Sequence, residues 1–207
     1  MTLTEMLSIA RFRLGNKRNF DEQIVAEIKM AQNGLERDPK LNLWFLFRSF
    51  TFQSYVGERT YPMPNDFVKM AEMYQPYFQN PEGAVFDIKR KPAHLVFRPT
   101  TTGSPEYYGM EGQMFVTDKE ADGVYRIFYY GSDNELILSA QEENNWTRLA
   151  PNVLVLRAVM NIAKTVRDMD LFTLTKAEYD VEYRNLSDMC VAQEDFGYDI
   201  SRGDFNE

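Results

Sequence analysis

A chain of 207 residues that is 44% apolar and 26% charged is globular in type and fits one domain, or one domain with a sizeable insertion. Its net charge of −8 argues against gripping duplex nucleic acid, because such a grip needs a basic surface to displace counterions from the phosphates. A single histidine, His94, and a single cysteine, Cys190, exclude an internal disulfide and fall short of the three or four ligands that zinc takes. The 15 Phe, 12 Tyr and 2 Trp are a dense set: a core accounts for about half, and the rest suit protein–protein contact surfaces. No apolar run approaches the ~20 residues of a membrane helix, and no basic stretch leads into an apolar block as in a signal peptide. The expectation is synthesis in a reducing cytoplasm and no membrane association.

In chain order, Thr2-Leu3-Thr4-Glu5 has the form of a capping box, in which the threonine hydroxyl and the glutamate side chain satisfy each other's backbone amides. Leu3, Met6, Leu7, Ala10, Phe12 and Leu14 follow at roughly helical spacing, and Gly15 is placed to end that helix in a left-handed conformation. A second helix is predicted from a cap at Asn19 to a stop at Pro39, with Ile24, Ile28, Ala31 and Leu35 facing inward. Beyond Leu41 the period falls to two. Phe50–Tyr55 reads as a strand that turns at Gly57-Glu58 and returns through Arg59-Thr60-Tyr61. Asp66–Tyr74 is open between a short helix and a strand. Residues 76–112, rich in Pro, Gly, Thr and Asn, read as an excursion of loops and short strands. Met114–Val116 and Val124–Tyr130 then form a second predicted hairpin, turning near Asp122-Gly123.

Helical spacing resumes after Asn145, an expected cap, and Pro151 suits the first turn of a long apolar helix. Asp170 or Thr173 is expected to cap a last helix that carries Ala177, Tyr179, Tyr183, Leu186 and Cys190 and runs to Gln193. The tail from Glu194 mixes acids with isolated aromatics. These elements predict an α+β fold: an antiparallel helical bundle built from the N- and C-terminal helix pairs (residues 1–40 and 145–193), a central β-hairpin and loop insertion (41–144), and an extended C-terminal arm (194–207).

No pattern of residues points to catalysis. His94 follows Lys91-Pro92-Ala93 in a loop-rich stretch, and Cys190 falls on the inward side of its helix. Glu120 and Asp122, like Glu142 and Glu143, sit beside turns or helix starts, where acids are routine. Asp118–Gly123 lacks the spacing of a calcium loop, and Gly109-Met110-Glu111-Gly112 is too short to cradle a phosphate. The expectation is a structural protein, with no enzyme activity, no cofactor and no metal.

Several short motifs follow one another along the chain. They are Thr2-Leu3-Thr4-Glu5-Met6 with Leu14-Gly15, then Leu43-Trp44-Phe45-Leu46-Phe47, then Tyr61-Pro62-Met63-Pro64-Asn65-Asp66-Phe67. Ser104-Pro105-Glu106-Tyr107-Tyr108, Tyr125–Tyr130, Asn144-Asn145-Trp146-Thr147-Arg148-Leu149-Ala150-Pro151 and Tyr179-x-x-x-Tyr183-x-x-Leu186 complete the series. Each is unspecific alone. In this order and spacing, up to about Leu186, the chain resembles the head-to-tail adaptor (connector) proteins of tailed bacteriophages. It departs from them in a longer central excursion, Pro76–Gly103, and in the acidic-aromatic tail.

The resemblance implies a virion protein of the neck, made in the host cytoplasm. Twelve copies would form a ring that joins the portal to the tail tube or nozzle. Genomic DNA would pass through the lumen without specific binding, and an acidic wall, which repels phosphate, suits that passage. Portal contact is expected at Phe196, Tyr198, Ile200 and Phe205 of the tail. Tail-side or neighbour contacts are expected at Tyr77, Phe78, Phe86, His94, Phe97, Tyr107 and Tyr108 of the excursion. The competing readings are another virion connector (a head-completion or stopper protein, or a tail-tube component), a carboxylate-dependent hydrolase, and a nucleic-acid-binding module.

Overall fold

The computed structural model describes residues 1–16, 18–96, 101–137 and 143–200, with 18 and 194–200 described as backbone alone. The chain begins with α1 (Leu3–Arg13) and α2 (Asp21–Glu36), then β1 (Phe47–Ser54), β2 (Thr60–Pro62), β3 (Phe67–Met70), β4 (Tyr77–Gln79), β5 (Val85–Asp87) and β6 (Lys89–Arg90). A short α3 (Ala93–Val96) precedes β7 (Thr101–Thr102), β8 (Tyr107–Glu111), β9 (Met114–Thr117), β10 (Lys119–Glu120) and β11 (Gly123–Gly131). The chain continues with α4 (Asn145–Leu149), α5 (Pro151–Thr165) and α6 (Met169–Ile200). Two compact units result: Met1–Leu46 together with Ser132–Glu207, here the helical unit, and Phe47–Gly131, here the β unit.

In the helical unit, the capping box at Thr2 forms as its sequence dictates: the Glu5 amide donates to the Thr2 hydroxyl (3.3 Å) and the Thr2 amide to the Glu5 carboxylate (2.8 Å). Gly15 adopts φ +73° just past α1, where a side chain would be strained, and the Asn16 amide closes back on the Arg11 carbonyl at 2.7 Å. Ile24, Ile28, Ala31 and Leu35 bury the inner side of α2, spaced to fall on one face. α5 has Pro151 in its first turn and is buried nearly all round, through Val153, Leu154, Val155, Leu156, Ala158, Val159, Ile162 and Ala163. A helix so apolar has to be covered on several sides, and α1, α2 and α6 pack on it.

A buried polar network holds the ends of the flanking segments. Trp146 is fully buried, and its indole N–H donates to Glu36 Oε1 at 2.9 Å. The same oxygen accepts from Gln32 Nε2 (3.0 Å) and from the Asp133 amide (3.2 Å). Asn144 caps α4 by accepting from the Thr147 amide (2.9 Å), Asp133 accepts from the Asn145 amide (2.7 Å), and Phe45 packs edge-on against Trp146 at 5.2 Å. Three donors converge on one buried carboxylate oxygen, which is how a buried acid is made tolerable.

The β unit has two main sheets and a small parallel pair, β7 with β10. In one sheet the strand order is β1-β11-β4-β5, with β3 also pairing β11; in the other it is β2-β9-β8-β6. The sheets share a core of Tyr61, Phe78, Tyr108, Phe115, Tyr125 and Ile127. Rings from both sheets meet in it: Phe115 lies 5.8 Å from Tyr125 and 5.0 Å from Tyr108, and Tyr61 lies 5.6 Å from Tyr125. Such offset and edge contacts add about 0.5–1.5 kcal/mol each beyond the area they bury.

Several expectations need correction. The fold is α+β, but it is not a helical bundle with a hairpin inserted: six helices share the described chain with two substantial sheets, which make a unit with its own core. Nor is the chain extended from residue 194, because α6 continues through Ile200. Neither predicted hairpin forms. β1 pairs antiparallel with β11, from Phe47↔Tyr130 to Ser54↔Gly123, while β2 pairs with β9 and β9 turns back on β8. The turns at Gly57 and Gly123 exist, but a turn signal sets a change of direction and not a partner. The partner follows from which apolar face is buried. Two helix starts also differ: Phe20 precedes α2 without a side-chain cap, and Asp168, not Asp170 or Thr173, accepts from the Leu171 amide (3.0 Å) at the start of α6.

Candidate functional site

The aromatic residues expected at contacts divide by burial. Phe78 and Tyr108 are core residues of the β unit and offer nothing to a partner. Phe86 packs partly buried against that core, 6.4 Å from Phe78, and Tyr77 is half-buried beside Phe128. Tyr107 is half-buried, with the Lys91 ammonium 3.1 Å from its ring centroid. His94 is exposed on α3. Phe196, Tyr198 and Ile200 lie on the last turns of α6, where the backbone alone is described, while Phe97 and Phe205 lie outside the described residues. The described side chains among them are spread over core, half-buried and exposed positions of the β unit.

The structure instead presents two surface features. On the helical unit, α6 turns Tyr179, Tyr183, Leu186 and Cys190 inward. Burial and the hydrogen bond that the Tyr183 hydroxyl donates to Asp38 (2.8 Å) push this phenol up to about 12. The opposite side of α6 carries a second apolar row, Leu174 (62% exposed), Val181 (56%) and Met189, at spacings of seven and eight residues. Beside it lies a groove of about 290 Å³ floored by Ile9, Val155, Leu156 and Val181. Its rim holds Glu182 and the ion pair of Arg13 with Glu178 (2.5 Å). On the neighbouring turn of α1, Phe12 is 74% exposed.

On the β unit, β6 and the residues before α3 carry a basic run, Lys89-Arg90-Lys91. Lys89 and Arg90 are exposed, and Arg90 pairs with Glu72. The run is held against the sheet: β6 runs parallel to β8, the Lys91 amide donates to the Tyr108 carbonyl (2.8 Å), and a Cβ on Gly109 would meet the Ala93 Cα at 2.7 Å. Leu95 stands exposed on the same short helix. Nearby, the Lys119 ammonium holds Glu106 below the usual carboxylate range.

The sequence reading missed Ile9, Leu174 and Val181, and it counted Phe12 in the apolar repeat of α1, whose buried face, Leu3, Met6, Leu7 and Ala10, leaves that ring outside. Their signal, apolar residues on the otherwise polar side of an amphipathic helix, was present but weak, since acids separate them. It also missed the Gln32–Glu36–Trp146 network, whose members are far apart along the chain. Among the described residues no group of three or more His, Cys, Asp or Glu is arranged to hold a metal ion, and no helix is long and apolar enough to cross a membrane.

No curated protein matches the chain. A family model described as SU10 adaptor protein matches residues 1–200, which takes in both units and every element described. The chain belongs to the SU10 adaptor protein family and is a structural adaptor of a bacteriophage virion.

Proposed function

We propose that this adaptor joins the portal of the phage head to the tail tube or nozzle as a ring of twelve copies, located in the neck, with the genome passing through its lumen. The observation that carries the reading is the family match over residues 1–200. The charge composition supports it. The helical unit holds 14 basic and 21 acidic residues, and a wall of that sign repels phosphate and lets DNA slide. The work is mechanical and asks for no catalytic residue, cofactor or metal. We assign portal contact to the end of the chain, with Phe196, Tyr198 and Ile200 on the last turns of α6 and Phe205 beyond them.

The test is the native mass of the full chain alone and after mixing with the portal ring of the same phage. The expected result is a portal complex carrying twelve copies of the adaptor. A protein that stays monomeric in both conditions overturns the reading, and one that binds a tail component but never the portal replaces it with a different virion connector. Deleting residues 195–207 should abolish portal binding; undiminished binding would remove the end of the chain from the interface.

A further inference from the structure

We infer that copies of this chain join by extending one sheet: the β1 edge of one copy pairs with the β5 edge of the next, whose Asp87 meets Arg126 of the first. The inference rests on the ring reading and names the contact that closes the ring. Its first ground is the two ends of the sheet ordered β1-β11-β4-β5, each of which has a partner on one side only. In an antiparallel ladder the N–H and C=O of a residue point to the same side, and the side alternates along the strand. The Phe128 carbonyl accepts from the Ala71 amide (3.0 Å), next to β3, so Ser49, opposite Phe128, turns its main-chain groups away from β11. Thr51 and Gln53 follow it in the same sense. Around β5, the Ala84 carbonyl accepts from the Asn80 amide (3.0 Å) and the Ile88 amide donates to the Pro76 carbonyl (3.0 Å). Val85 and Asp87, which alternate with those residues, therefore turn their main-chain groups outward. All five side chains are exposed.

Strand direction and charge select a second copy as the occupant. β1, β11, β4 and β5 alternate in direction, so a copy rotated about an axis along the strands brings its β5 antiparallel to β1. That contact is heterologous, since the two copies use different edges, and heterologous contacts are the kind that propagate around a ring. Matching the outward-turned residues sets Ser49 opposite Asp87 of the next copy and Thr51 opposite its Val85. These side chains lie on the face away from the core, because Phe50, Phe52 and Phe86 take the core side. Arg126 lies on that outer face too and leans over β1, its Nη2 3.5 Å from Ser49 Oγ. Its Nε is buried without an acceptor, and among the described residues no acid pairs with Arg126 and no base with Asp87. A partly desolvated cation gains from a carboxylate brought beside it, and the register that sets Asp87 against Ser49 brings one. The other sheet is guarded where this one is open. β2 ends in Pro62 and β6 carries Lys89 and Arg90, features that discourage pairing, whereas Ser49, Thr51 and Gln53 include neither charge nor proline.

The experiment uses the full chain assembled with portal and reads two things. The first is cross-linking of the variant Thr51→Cys with Val85→Cys. Within one copy these positions are three strands apart, about 14 Å, beyond the roughly 7 Å that a disulfide spans, so a bond between them has to join two copies. Mild oxidation should give a covalent ladder of three or more chains, and neither single-cysteine variant should give one. The second is ring formation by Arg126→Glu, by Asp87→Lys and by the two together, with circular dichroism and thermal melting as the check on folding. Each reversal alone should cut assembled rings by about tenfold at equal concentration, equivalent to about 1.4 kcal/mol, and the double swap should restore them. Rings that form without a ladder, reversals that assemble like wild type, or a swap no better than the single changes would each overturn the inference while leaving the ring reading intact. Where a charge variant fails to fold, the ladder alone decides. A wild-type protein that forms no ring removes the ring reading itself.

Discussion

The helical unit and the β unit bury comparable cores with different side chains. In the helical unit the interior is aliphatic, from Leu3, Met6 and Ile24 to Val159 and Ile162, and Trp146 is the one fully buried aromatic among its described residues. In the β unit the interior is built of rings, with Tyr61, Phe78, Tyr108, Phe115 and Tyr125 in mutual contact. The difference follows from geometry. Helices packed on one another interdigitate best with branched and flexible aliphatics, whereas two facing sheets leave a broad, flat interior that aromatic rings fill. It also corrects an inference from composition. Much of the aromatic surplus that suggested contact surfaces is consumed inside the β unit, and among the described exposed large apolar side chains of the helical unit Phe12 is aromatic while the others, Leu174, Val181 and Met189 among them, are aliphatic or thioether.

The largest test of the comparison is Trp146→Ala. Removing a buried indole costs about 3–5 kcal/mol and takes a donor from Glu36 as well. Hydrogen exchange should show faster exchange of the α2 and α5 amides with the β1–β11 ladder still protected. Equal loss in both units would show that they unfold as one and break the comparison. Phe115→Ala is its mirror image, at about 3–4 kcal/mol, because Phe115 is fully buried against Tyr108 and Tyr125. Here the β unit should lose protection and α5 keep it. Glu36→Leu should come next, at about 2–3 kcal/mol, since it leaves the Trp146 indole and the Gln32 amide without their acceptor in the interior. A melting temperature equal to wild type would mean the network contributes nothing.

The smallest effect is expected in alkali. Burial pushes Tyr61 up to about 12 and raises Tyr125 and Tyr108 as well, while in the helical unit burial and Asp38 bring Tyr183 to about 12. A phenol held above its unfolded value near 10 favours the folded state fully below about pH 10, and that contribution is lost as pH rises toward about 12. The β unit, with more such phenols, should lose exchange protection first in that window. Simultaneous loss in the two units would weaken the distinction.

What could be read from the sequence was local. The Thr2 capping box, Gly15, the stripe from Ile24 to Leu35 and Pro151 involve residues within a turn or two of one another, so their physics is complete in a short window. Strand pairing was not local. Alternation in Phe50–Tyr55 shows which side chains share a face, yet nothing nearby says that β11, rather than Arg59–Tyr61, lies alongside. The same limit hid the Gln32–Glu36–Trp146 network, although the Asn144-Asn145-Trp146 motif marked one end of it. For the candidate surfaces, the basic run Lys89–Lys91 was visible as charge alone, and the groove needed α1, α5 and α6 side by side before it existed. The helix that replaces the expected arm from residue 194 continues past Gly197, where the apolar pattern had already ended.

The register of β1 against β11 has a genetic corollary. Phe47 and Tyr130 stand opposite each other, about 5 Å apart as in any antiparallel pair, so the β unit begins and ends at nearly the same point in space. A segment with adjacent ends can be lifted out of a gene and replaced by another of different length without moving the residues on either side of the splice. The junctions after Leu46 and before Ser132 are therefore natural crossover sites, at which related phages could trade the whole β unit in one recombination event while inheriting the helical unit unchanged.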